Sequence, residues 1–261
     1  MNETAENFAS ESSLWSTMLA VANKPVYVEV GDLCLTIRKL VHEWQLNYHW
    51  EKKGNEGGFG CRYLEDHQET PETVERIAMQ TMSDGLILTP RLADLPLVVR
   101  PYSPFMIPSN NRITLYFTSP VWLSINFAEG VSREFPVQQL SETWMGPPTP
   151  DGELCYGSHT HARLDESMLV KLPWRALTPI HLHNKSHSDF TLERLSIPTP
   201  YLSLYNDNDR LITEPLNITM DSENHQGIVN IEKVKRGELV AAPRKHSERG
   251  VLVSAWENLF A

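Results

Sequence analysis

Histidine supplies the most concentrated metal-binding chemistry in this chain. Five of its ten histidines lie between residues 159 and 187. They form two pairs and a neighbour: His159 with His161, His181 with His183, and His187 close behind. Side chains alternate between the two faces of a strand, so both imidazoles of a His-x-His pair project from the same face. Each pair can therefore offer two nitrogen ligands to one zinc, iron or manganese ion.

A carboxylate follows the first pair at a spacing that one group of metalloproteins uses. His159, His161 and Glu166 give the order His-x-His-x4-Glu, which resembles the first metal-binding motif of cupins. Two imidazoles and a carboxylate hold a divalent metal and leave open positions for a substrate. The second cupin motif, a histidine after a Pro-x-Gly turn, is not found, so His181, His183 or His187 would have to complete the site. Two alternatives stay open: a metal site, or histidines that are solvent-exposed or hydrogen-bonded.

The second pair also has an ordinary structural explanation. Ile180 and Leu182 alternate with His181 and His183, so the imidazoles point outward if the aliphatic side chains point into the core. We expect Cys155, which precedes the first pair, to be a buried structural thiol, because no orienting group for a nucleophile is evident. The sequence contains no nucleophile elbow, phosphate-binding loop or Cys-x-x-Cys pair.

The charge balance argues against nucleic acid as a partner. The 261-residue chain has 33 acidic and 23 basic side chains, a formal net charge of −10, and its basic residues are scattered. Such a surface repels a polyanion over much of its area.

Cysteine usage and hydropathy predict a soluble cytoplasmic protein. Cys34, Cys61 and Cys155 are far apart and odd in number, and no apolar stretch resembles a secretion signal. The longest apolar run is much shorter than the roughly 20 residues of a membrane-spanning helix. We expect no membrane span, while a protein partner, including a membrane protein, stays open, as does the oligomeric state.

Short β-rich runs from Val26 to Val253, each ended by Gly, Pro, Asn or Asp, predict an all-β, mainly antiparallel protein of β-sandwich architecture. The predicted strand pairs include 25–30 with 33–40 across Gly31-Asp32, 44–50 with 59–64 across a glycine-rich loop, and 113–118 with 121–127 across Ser119-Pro120. The helical spacing of Leu14, Met18 and Ala22 predicts at most one short helix, near the N-terminus.

Prolines and glycines between residues 138 and 152 mark the best candidate boundary along the chain. The predicted organisation is an N-terminal segment at 1–24, a β-rich unit at 25–137, a connection at 138–152 and a second β-rich unit at 153–261. Two stacked sandwich units and one extended sandwich remain alternatives.

Scattered proline and apolar landmarks carry a resemblance to a known family. The landmarks are Leu97-Val-Val-Arg-Pro-Tyr-Ser-Pro, Ile107-Pro-Ser-Asn, Leu115-Tyr-Phe, Gly152-Glu-Leu-Cys155 and the closing Gly250-Val-Leu-Val-Ser-Ala-Trp-Glu-Asn. On these residues the chain resembles domain of unknown function 432 (DUF432) of bacteria and archaea, roughly from Gly31 to the C-terminus. The resemblance implies no activity, catalytic residue or cofactor. Some relatives are associated with small-conductance mechanosensitive channels, which implies an accessory role.

A strand-rich chain that lacks catalytic motifs more often supplies a surface than a reaction. We therefore predict a non-enzymatic binding or accessory module without a cofactor. The alternative is a cupin-like enzyme with one divalent metal on His159, His161 and Glu166, assisted by His181 or His183.

Overall fold

A computed structural model describes residues 14–15, 18–21, 24–65, 75–127, 130–146, 152–220, 227–233, 236–246 and 252–253. Strands dominate these residues, with short 3-10 turns at Gly54–Glu56, Glu166–Met168 and Thr199–Tyr201. None of the described segments is a helix of seven or more residues. The predicted all-β, mainly antiparallel class is confirmed.

The strands of the first half follow one another closely along the chain. They are β1 (Met18–Ala20), β2 (Val26–Gly31), β3 (Leu33–Lys39), β4 (Glu43–Trp50), β5 (Gly58–Tyr63), β6 (Glu75–Ala78), β7 (Gly85–Arg91), β8 (Leu97–Pro101), β9 (Phe105–Ile107), β10 (Arg112–Pro120), β11 (Trp122–Asn126) and β12 (Ser132–Pro136). The strands of the second half are β13 (Glu142–Met145), β14 (Glu153–Ala162), β15 (Arg175–Asn184), β16 (Phe190–Leu192), β17 (Leu195–Ile197), β18 (Leu204–Asp207), β19 (Arg210–Thr213), β20 (Leu216–Met220), β21 (Gly227–Ile231), β22 (Glu238–Ala241) and β23 (Leu252–Val253).

The chain divides into two compact units that interleave in sequence. The first comprises Met1–Arg91 and Val121–Gln139, and the second comprises Leu92–Pro120 and Leu140–Ala261. The boundary predicted at 138–152 concerns where independent folding units meet, and it stays a prediction.

Two sheets build the first unit, in the orders β5-β2-β3-β4-β6 and β1-β7-β11-β12. Aromatic side chains join them: the rings of Trp44 and Phe127 are 5.4 Å apart, and those of Tyr48 and Phe135 are 4.5 Å apart. Strand β2 shows why the sheets pack, because alternate valines are buried and the residues between them are not. The unit is a sandwich of antiparallel sheets.

An eight-stranded sheet forms the largest part of the second unit. Its order is β22-β18-β19-β15-β20-β21-β23, and β10 pairs with the other edge of β15. The β10–β15 ladder is antiparallel and runs from Arg112 opposite His183 to Pro120 opposite Arg175. Strands β19 and β20 pair with β15 in parallel. Smaller sheets, β13-β14-β8-β17 and β16-β9, complete the unit.

The predicted first hairpin is confirmed, since β2 and β3 pair with Val30 opposite Leu33. Gly31 has a φ of 60° and stands first in the two-residue loop, where a type II′ turn places glycine.

Two predicted pairings are wrong, although the strands themselves exist. Strand β4 pairs with β3 and β6, and β5 pairs with β2, so the glycine-rich loop connects opposite sides of one sheet. Strand β10 pairs with β15, and β11 pairs with β7 and β12. Ser119 and Pro120 do not form a turn but continue β10, opposite Ala176 and Arg175 of β15.

The short N-terminal helix is also not observed at its predicted centre. Residues Met18–Ala20 form β1, which pairs with β7. The preceding Leu14 is buried. Apolar residues at helical spacing therefore form an edge strand here, because pairing with β7 outweighs their helix propensity.

Candidate functional site

Strand β15 presents the second histidine pair on its outward face. Ile180 and Leu182 are buried, whereas His181 and His183 are partly exposed. The prediction that these imidazoles point away from the core is confirmed. Their placement follows from alternation along one strand whose aliphatic side chains must be buried.

Neighbouring strands extend each histidine into a row of polar side chains. Arg112 on β10 and Thr219 on β20 lie opposite His183, on its two sides. Thr114 and Asn217 flank His181 in the same way. The Thr114 hydroxyl is 3.0 Å from Nδ1 of His181.

These rows line an open groove of about 550 Å³. Its walls are Arg112, Ile113, Thr114, His181, Leu182, His183, Lys185, Asn217, Ile218 and Thr219. We name this surface the β10–β15–β20 groove. None of the described residues that line it is acidic.

Positive charge dominates the β10–β15–β20 groove. Arg112 lies opposite His183 and Lys185 follows it by two residues along the chain. Within the described residues, neither cation forms an ion pair with a carboxylate. Desolvation and these two cations hold the pKa of His183 below its usual value. At the rim of the groove, Glu232 accepts a hydrogen bond from Asn217 at 3.2 Å.

A buried asparagine fixes the turn that carries Lys185. The Asn184 amide donates to the carbonyl oxygens of Ile107, Pro108 and Ser188 at 3.0, 3.2 and 2.9 Å. The backbone of Asn184 also donates to Asn111, beside Arg112. Through its side chain, the fully buried Asn184 thus fixes the turn that carries Lys185, and through its backbone it holds Asn111, the neighbour of Arg112.

The first histidine pair lies elsewhere. His159 and His161 are exposed on β14. Arg163, which follows β14, exchanges backbone hydrogen bonds with Tyr116 of β10, on the edge of β10 that faces away from β15. The two histidine pairs therefore flank different edges of β10 and do not face one another.

The ligand geometry expected for His159, His161 and Glu166 is not assembled. The Glu166 carboxylate forms an ion pair with Arg210, and the His161 ring meets the edge of Tyr102 at 5.8 Å. Within the described residues, three other ligand-type side chains do come together, those of Cys34, His49 and Glu51. Their donor atoms all lie within 4.8 Å of one another. Metal binding by the predicted residues stays a prediction that zinc titration can test.

Cys155 is a buried thiol, as predicted. Its side chain is fully buried, and burial together with the nearby Glu153 raises its pKa to about 12. At neutral pH the thiol is therefore protonated and a poor nucleophile.

The cluster of Cys34, His49 and Glu51 was missed from sequence because its members belong to different strands. Only the register of β3 with β4 places Cys34 opposite His49. The predicted β2–β3 hairpin accounts for part of this arrangement, because its register places Glu29 opposite Cys34.

In the part of the chain that the structure describes, no helix has the length and hydropathy needed to cross a membrane. No curated protein and no solved structure shows significant similarity to the chain. The family model of DUF432, described as protein of unknown function, matches residues 14–260. The chain therefore belongs to the DUF432 family.

Proposed function

We propose that this protein is a binding module whose β10–β15–β20 groove recognises a ligand bearing an oxyanion such as phosphate, sulfate or carboxylate. The observation that carries the proposal is the concentration of Arg112, Lys185 and two imidazoles in one groove whose described lining residues include no acid. The chain as a whole has a net charge of −10, so a local excess of cations departs from the general surface.

Hydrogen-bond donors complement the charges. The hydroxyls of Thr114 and Thr219 and the amide of Asn217 line the same groove. Oxyanions are bound by such mixtures of guanidinium, ammonium, hydroxyl and amide donors. The positive electrostatic field of Arg112 and Lys185 disfavours protonation of His183. The same field disfavours a divalent cation beside that imidazole.

Sulfate titration of the purified chain tests the proposal, followed by calorimetry at low ionic strength. We expect saturable binding of one sulfate, weakened about tenfold by Arg112→Gln or Lys185→Gln, because each substitution removes a charge-assisted hydrogen bond. Lys171→Gln is the matched control, since Lys171 is an exposed lysine of the same unit outside the groove. Sulfate binding that is absent, or insensitive to both groove variants, contradicts the proposal.

We also propose a cytoplasmic location and a protein partner. Cys34 and Cys155 are buried free thiols, which supports a reducing compartment. Trp144 on strand β13 is 48% exposed, and exposed tryptophan is enriched at protein interfaces. Affinity capture from the native host, compared between the wild-type chain and Trp144→Ala, tests the partner. A partner that the wild-type protein and Trp144→Ala retain equally would have to bind a surface that does not include Trp144.

A further inference from the structure

Three adjacent strands of the first unit place ligand-type side chains in one row. Glu29 on β2 lies opposite Cys34 on β3, and Cys34 lies opposite His49 on β4. Directly opposite residues of neighbouring strands project from the same face of the sheet. Glu51 follows His49 by two residues, and its carboxylate lies 3.2 Å from Nε2 of His49.

An ammonium group already occupies the centre of this row. The Lys53 Nζ lies 2.8 Å from Glu29, 2.9 Å from Glu51 and 3.8 Å from the sulfur of Cys34. The side chains thus converge on a positive charge. Two carboxylates against one ammonium leave the cluster with a net negative charge, which favours a cation of higher valence.

We propose that Cys34, His49 and Glu51 bind a divalent transition metal of the zinc class. Sulfur, imidazole nitrogen and carboxylate oxygen together select borderline-soft ions over magnesium or calcium. Three protein ligands leave a fourth tetrahedral position open to water. Binding releases the Cys34 proton to solvent, and the Lys53 ammonium leaves Glu51.

The geometry requires only small side-chain adjustments. The three donor atoms lie within 4.8 Å of one another, and two ligands of one tetrahedral zinc are about 3.5 Å apart. The side chains of His49 and Glu51 are 58% and 53% exposed, so the ion has a path from solvent. Asp32 accepts hydrogen bonds from the backbone of Lys53 and Gly54 at 2.9 and 3.0 Å, which anchors the loop while the long lysine side chain moves.

Titration of the full chain with zinc and cobalt, after metal removal with a chelator, tests the site. We expect one zinc per chain, and a cobalt complex with a thiolate-to-cobalt charge-transfer band. Cys34→Ser is expected to abolish that band. His49→Ala, at an exposed position, is expected to weaken zinc binding at least about tenfold, because it removes one of the three ligands.

A substitution that strengthens binding separates metal binding from a merely structural role. Lys53→Gln removes the competing ammonium and is expected to tighten zinc several-fold, whereas loss of a structural ion pair would not. Cys61→Ser, at a thiol of the same sheet, is the control, and His161→Ala tests whether the zinc binds instead at the other predicted metal site, in the other unit. The absence of zinc binding, or of the thiolate band, overturns the proposal. So does zinc binding that His161→Ala removes and His49→Ala leaves unchanged.

Discussion

The charge of His183 is expected to couple anion binding to pH. Desolvation, Arg112 and Lys185 lower the pKa of His183, so its imidazole is neutral at pH 7. A bound sulfate offsets the repulsion from both cations and raises this pKa, so binding takes up a proton. Sulfate affinity is therefore expected to rise as the pH falls from about 7.5 to about 5.5. Calorimetry at constant ionic strength measures this slope, and sulfate keeps its charge over the range.

His183→Gln is the control, and it should flatten the pH dependence. His181 lies in the same groove and Glu232 lies at its rim. In the protein without a bound anion, the contribution of His183 to the free energy of unfolding is expected to fall, not rise, as the pH falls. A depressed histidine pKa contributes stability above the unfolded value of about 6.5 that is lost as the pH falls. An affinity that does not change with pH would contradict a role for His183.

Asn184 is expected to carry much of the stability of the groove. Its amide satisfies three carbonyl oxygens, and Asn184→Ala leaves these buried acceptors without that donor. We expect a loss of about 3 kcal/mol in the free energy of unfolding, measured in urea. Asn111→Ala, at an exposed asparagine with one local hydrogen bond, should change it by less than about 0.5 kcal/mol. Equal effects of the two substitutions would refute this account.

Individual site residues were predictable only where the local pattern decides their direction. His181 and His183 alternate with buried aliphatic residues, which is a property of one strand. The proximity of Arg112 to His183 and Lys185 depends on the register of β10 with β15. The residues on either side of them in the sequence do not predict that register.

At the scale of elements, the β18–β19 hairpin offers a test of turn energetics. Asn208 and Asp209 form its two-residue loop with φ values of 50° and 63°, as in a type I′ turn, where Asn-Gly is favoured. Asp209→Gly is expected to stabilise the protein by about 0.5–1 kcal/mol, because glycine adopts positive φ without strain. Urea denaturation measures the change.

Asp207→Gly is the matched control. Asp207 lies on β18 and its φ is not positive, so glycine there should destabilise the strand. Stabilisation by both substitutions, or by neither, would show that the loop conformation does not limit stability.

Strands were easier to predict than their partners. Alternation and turn residues are local, so β2 and β3 were placed with the correct pairing. The partners of β4, β5, β10 and β11 depend on which sheet each strand joins, and a proline such as Pro120 ends one strand without specifying the next neighbour. Pairing is a non-local choice made by packing.

At the scale of the molecule, the interleaving of the two units has a consequence for cutting the chain. The second unit takes β8, β9 and β10 from before residue 121 and the rest from after residue 139. A fragment of residues 140–261 lacks β10, the partner of β15 along its length. It also lacks the buried Leu115 and Phe117 that β10 contributes.

Fragments 1–139 and 140–261 should distinguish the two divisions of the chain. If the interleaved units fold as such, fragment 140–261 alone should show no cooperative urea transition, because β15 then has an unpaired edge and an incomplete core. Mixing the fragments should restore the near-ultraviolet signal of the intact chain. If the boundary predicted at 138–152 separates independent units, each fragment should instead unfold cooperatively alone. A full-length chain nicked between residues 139 and 140 controls for the break itself, since it keeps both pieces together.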